Sequence, residues 1–133
     1  MRRALVIAAT ILIGAAVGGS VNGYAHGQAL AAQHGGQMQD AHGHWLECLV
    51  RGDILSVFVT DAHGRPVPAT LVSGTATVLV AGQPTKVPLA PGAENELSAR
   101  LPGPAAGKVT AAVSLKIGDE TLTARFAAVP VRQ

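Results

Sequence analysis

The segment Lys108-Val109-Thr110-Ala111-Ala112-Val113-Ser114-Leu115-Lys116-Ile117, followed by Gly118-Asp119 and then by Glu120-Thr121-Leu122-Thr123-Ala124-Arg125-Phe126, decides the fold. Successive side chains of an extended chain point to opposite faces, so Val109, Ala111, Val113, Leu115 and Ile117 share one side. Leu122, Ala124, Phe126 and Ala128 share one side of the next run, and a Gly-Asp pair between two alternating runs reads as a tight β-hairpin. Working outward, Gly52-Asp53 separates another such pair, and Ala81-Gly82-Gln83-Pro84 makes a slightly longer turn. Short runs rich in Val, Leu, Thr and Ala recur at intervals of about 8–12 residues, the spacing of an antiparallel β-sandwich or barrel. The pattern predicts seven strands, at His44–Arg51, Ile54–Asp61, Gly74–Val80, Thr85–Ala90, Glu96–Leu101, Lys108–Ile117 and Thr121–Val129. None needs a helix to connect it. Pro88 falls inside a predicted strand and marks it as an edge, because a proline has no N–H to give to a ladder. With Phe58 and Phe126 as the aromatics expected inside, the core is aliphatic and thin.

The chain opens differently. Met1-Arg2-Arg3 followed by the apolar run from Ala4 to Val17 has the form of a secretory leader, and it loosens into Gly18-Gly19-Ser20 before it could span a bilayer. A cut after Ala25, with Gly23 and Ala25 as the small residues that precede it, makes 1–25 a signal peptide; Ala29 and Ala31 form a second candidate pair. The implied location is periplasmic or secreted, with no membrane association after cleavage. Of the ten Lys and Arg residues, Arg2 and Arg3 belong to this leader, so eight face eight Asp and Glu in the remainder. A nearly neutral chain offers no basic face for nucleic acid. Cys48 is the single cysteine, so no internal disulfide forms; it is in phase with Leu46 and Val50 and reads as a core thiol. No phosphate loop, nucleophile elbow or His-Glu-x-x-His motif is present, and the chain is not expected to be an enzyme.

Between leader and first predicted strand, residues 26–43 have neither helical nor strand periodicity and read as a flexible arm. This arm and its junction hold His26, His34, His42 and His44, with Met38 and Asp40 among them. A neutral imidazole is the commonest side-chain metal ligand. His42 and His44, two residues apart in an extended chain, would project to the same side about 6–7 Å apart. His34 is within folding-back distance through a short linker. Met38 adds a soft thioether, which favours copper over calcium or magnesium, with zinc as the second candidate ion. A mature chain beginning at His26 would add an α-amine and an imidazole, a pair that also admits a copper redox role. Glu47, three residues after His44, falls on the opposite face of a regular strand; it reads as a solvent-facing carboxylate unless a bulge turns it to the ion. Arg51-Gly52-Asp53 is explained by its hairpin turn, and His63 by an exposed loop.

The run His34-Gly35-Gly36, His44-x-x-Glu47, Phe58-Val59-Thr60-Asp61, Gly64-Arg65-Pro66-Val67, Ser73-Gly74-Thr75-Ala76 and Ala124-Arg125-Phe126 resembles a group of small exported bacterial proteins. These open with a His-Gly-Gly segment before an immunoglobulin-like β-domain and are often associated with heavy-metal efflux systems. The resemblance implies a periplasmic setting, an immunoglobulin-like sandwich over 44–133, and metal handling through His34 and, further along, His44 and Glu47. The joint expectation is a copper-binding protein in which His34, His42, His44, Met38, Glu47 and His26 supply ligands. It would buffer the ion or deliver it to an efflux component, and release it below about pH 6 as the imidazoles protonate. The rival expectation is a non-metal interaction module that pairs an exposed sheet edge with a partner.

Overall fold

The computed structural model describes residues 30–133; the predicted leader and His26 lie outside the described residues. Nine strands account for most of the described residues: β1 (Gln37–Ala41), β2 (His44–Arg51), β3 (Ile54–Thr60), β4 (Val72–Val80), β5 (Gln83–Pro91), β6 (Glu96–Arg100), β7 (Val109–Ile117), β8 (Glu120–Phe126) and β9 (Val131–Arg132). One 3₁₀ turn, Ala69–Leu71, leads into β4, and there is no α-helix among the described residues. The protein is all-β.

The hairpin turns form where the sequence places them. Gly52 and Gly118 take φ of 62° and 58°, and the flanking residues pair as Arg51 with Ile54 and Ile117 with Glu120. The expected longer turn after β4 is a two-residue one. Ala81 and Gly82 both have positive φ, and Val80 pairs with Gln83.

Strand order is β1-β2-β3-β6-β5-β4-β7-β8. The two halves of this path meet in β5, which pairs with β4 from Gln83 to Leu89 and with β6 only at Ala90 and Pro91. Over its first seven residues β5 therefore has one free edge, and Pro84 and Pro88 sit there without breaking a ladder. The two ends of the path, β1 and β8, lie against each other, so the antiparallel sheet is nearly rolled into a barrel.

Two strands exceed the seven expected. Residues 37–41, assigned to a flexible arm, form β1 against β2, because His42-Gly43 reverses the chain. The last predicted strand stops at Phe126 instead of Val129: the chain crosses to β2, where Val131 and Arg132 pair in parallel with Val50 and Arg51. Pro130 accepts from the Val50 N–H in that crossing. β1 and β9 thus share one edge of β2, end to end.

Alternation places Leu46, Cys48 and Val50 of β2 inside with Val109, Val113 and Leu115 of β7 and Leu122 and Phe126 of β8. The core is aliphatic, as composition predicts. Phe58 is buried too, but on the opposite face of β3 from core residues Val57 and Val59. Glu47, Leu49 and Ser56 are buried on that same outer face, so a second layer must cover it.

Gly74 marks the tightest strand contact. A Cβ there would run into the Ser114 carbonyl oxygen and the Leu115 side chain of β7. Gly74→Ala is expected to cost about 1–3 kcal/mol, the usual range for overpacking a filled site. The urea midpoint at constant slope checks this.

Candidate functional site

The cover over the outer face is the His-Gly-Gly segment itself, and it is held by Glu47. The β1–β2 register sets Met38 opposite Glu47, and the β2–β3 register sets Phe58 opposite Glu47 on the other side. These three side chains therefore share one face. Onto them folds the chain from residue 30 to residue 36.

Glu47 is 4% exposed, and each carboxylate oxygen receives two donors. Oε1 accepts the Gln33 N–H at 3.2 Å and the His34 Nδ1–H at 2.9 Å; Oε2 accepts the N–H groups of His34 and Gly36, both at 2.8 Å. An ionised carboxylate has about four lone-pair sites, and all are used here. Burial by itself would push this carboxyl up. The His34 ring and the Gly36, His34 and Gln33 amides outweigh that and hold it below its ordinary value of 4.5.

Each residue of the motif has a steric reason. The His34 ring stacks on Phe58 with centroids 3.6 Å apart and planes 4° from parallel. Gly35 has φ of 79°, and its carbonyl accepts from the Arg132 guanidinium at 3.3 Å; a Cβ at residue 35 would collide with that guanidinium. At Gly36 a Cβ would sit 2.7 Å from the Cys48 carbonyl oxygen and 2.8 Å from Glu47 Cγ. Glycine is the residue that fits both places.

Beside the clamp lies a pocket of about 110 Å³. Leu30, Phe58 and Pro66 form part of its apolar wall, and His34, Met38 and Glu47 bring it a nitrogen, a sulfur and a carboxylate. Of the predicted ligands, the structure brings these three together.

It does not bring His42 and His44 to them. His42 is exposed in the β1–β2 turn with φ of 50°, next to Gly43 at 84°, so the extended His-Gly-His geometry expected from spacing is replaced by a tight reversal. Asp40 Oδ1 accepts the Gly43 N–H at 3.2 Å in the same turn. His44 opens β2 in phase with Leu46, on the face opposite Glu47, and its Nδ1 is buried without a partner. Among the described residues no three His, Cys, Asp or Glu side chains gather tightly enough to hold a metal ion. Cys48 is fully buried, and desolvation pushes its thiol up to about 12. His63 is an exposed turn residue, as read.

Sequence reasoning missed Phe58, Gln33 and Arg132. Phe58 was within reach, since a two-residue turn at Gly52-Asp53 makes it the cross-strand partner of Glu47. No local signal announces Arg132, which is 97 residues from Gly35.

No protein-family model, curated protein or solved structure matches this chain.

A carboxyl whose folded value lies below its unfolded value stabilises the fold fully above the ordinary range and loses that contribution as pH falls through the folded value. The protection of the Gly36 amide against exchange and the urea midpoint of the metal-free protein should hold steady from about pH 7 to 5 and fall below about pH 4. Glu47→Gln should lower both at pH 7 and flatten the acid limb. The Cys48 thiol should be inert to an aromatic disulfide reagent in the native protein and titrate as one thiol per chain only after unfolding.

Proposed function

We propose that this protein is an exported binder of a soft transition-metal ion, copper first and zinc second, that takes the ion as cargo at the pocket between the His-Gly-Gly segment and β1. The observation that supports this most is that His34 and Met38 line the same pocket, an imidazole and a thioether. That donor pair suits copper, and Cu(I) most of all, since soft sulfur selects it over hard cations. The pocket's apolar walls suit a dehydrated ion held by few ligands. Periplasmic or secreted location, and buffering or delivery of the ion to a heavy-metal efflux component by ligand exchange, belong to the same proposal. So does an immunoglobulin-like sandwich with β5 joining its layers, a reading favoured by the way β5 changes partners. The role is binding, not catalysis.

His42 and His44 do not line this pocket. In competition with a chromophoric Cu(I) chelator, the purified protein should take one ion per chain. His34→Ala and Met38→Leu should each weaken that uptake at least tenfold, or about 1.4 kcal/mol, while the His42→Ala, His44→Ala double variant keeps it. A wild-type chain that fails to compete, or two pocket variants that bind as wild type does, refutes the reading.

A further inference from the structure

We infer that Glu47 is a positioning residue which sets the tautomer of His34, so that Nε2 is the ring nitrogen presented to a ligand in the pocket, and that Glu47 is not itself a ligand. The part concerning a metal rests on the function proposed above. The part concerning the ring stands on geometry alone.

An ionised carboxylate only accepts hydrogen bonds, so the 2.9 Å contact between Glu47 Oε1 and His34 Nδ1 requires the proton on Nδ1. In the neutral ring the lone pair is then on Nε2. The ring is held at that carboxylate: its plane lies flat on Phe58, its own backbone N–H is tied to Glu47 Oε2 at 2.8 Å, and the Nδ1 contact sets which edge faces Glu47. One carboxylate thus fixes the main chain of His34, its ring orientation and its protonated nitrogen together. Histidine ligands in metalloproteins commonly donate their second N–H to a carboxylate, which orients the ring and raises its basicity. Here that partner is already in place in the metal-free protein.

The same four donors exclude Glu47 from coordination. Each oxygen has two hydrogen bonds, three of the four donors are backbone amides of the covering segment, and a metal on either oxygen would have to displace at least one. Displacing one breaks a part-buried hydrogen bond of the clamp or lifts residues 33–36 from the sheet. Of the three predicted ligands that line the pocket, those left available are therefore one imidazole nitrogen and the Met38 sulfur, an N,S pair that a partner's ligand can complete during transfer.

Long-range proton–nitrogen correlation on the ¹⁵N-labelled, metal-free protein reads the tautomer directly. The expected spectrum gives His34 a protonated, pyrrole-type Nδ1 and a pyridine-type Nε2. An Nε2–H tautomer overturns the inference without any variant having to fold. In Glu47→Gln, shown folded by its Trp45 emission and backbone spectrum, the ring should lose that tautomer bias and Cu(I) affinity should fall about 10–100-fold. X-ray absorption of the loaded variant should still show one nitrogen and one sulfur, whereas loss of an oxygen neighbour relative to wild type would make Glu47 a ligand and overturn the inference. A wild-type chain with the Nδ1–H tautomer that ignores copper and zinc leaves the positioning of the ring standing and refutes the metal reading alone.

Discussion

A carboxylate taken out of water on the face of a strand costs several kcal/mol unless donors replace its hydration. Glu47 is in that position, and its donors come from the segment that buries it. Neither half is stable alone: without residues 33–36 the carboxylate would be solvated, and without the carboxylate three adjacent amides of a Gly- and Gln-rich segment would have no reason to converge. The closed arrangement is mutually supporting. It accounts for the burial of Phe58 and Glu47 on a face that would otherwise meet solvent.

This second layer is built from little apolar material. A chain of this length has a thin aliphatic core, and the outer face of β2 and β3 adds a small satellite to it that includes the His34–Phe58 stack. β9 joins in from the far end of the chain, pairing with the same edge of β2 that β1 uses and sending Arg132 to the Gly35 carbonyl. The start and the end of the described chain are tied to each other through β2. The free ends of a small sheet, which fray when unpaired, are here closed by the same contacts that shape the pocket.

The sheet itself was legible because its signals are local. Gly-Asp turns between alternating runs give register as well as direction, and β2, β3, β7 and β8 emerge within a residue or two of their limits at nearly every end. The second layer was much less so. Gln37-Met38-Gln39-Asp40 has no apolar alternation, and β1 exists because His42-Gly43 turns the chain and β2 offers a free edge. Reading His42-Gly43-His44 as a ligand pair hid the turn that the positive φ at both residues makes. Strict alternation sends Glu47 outward, correctly as to face and wrongly as to solvent, because what covers that face is a segment whose composition suggests disorder. Only the resemblance, which groups His34 with His44 and Glu47, hinted that these residues belong together.

The motif's chemistry is narrower than its composition suggests. A run of histidines, glycines, a methionine and a carboxylate looks like a loose chelator in which every donor is equivalent. Folding sorts them: Gly35 and Gly36 are there for clearance, Glu47 for hydrogen bonds, His42 for a turn, and His44 opens β2 on the other face. Of this motif, what remains for a ligand is the second nitrogen of a ring already locked in place and the Met38 sulfur in the lining of the same pocket. A site with so few donors gains affinity from preorganisation more than from ligand number, since the entropy of fixing the imidazole is spent in folding. Under the proposed function, so small a donor set leaves coordination positions open through which a partner's ligand can take over the ion.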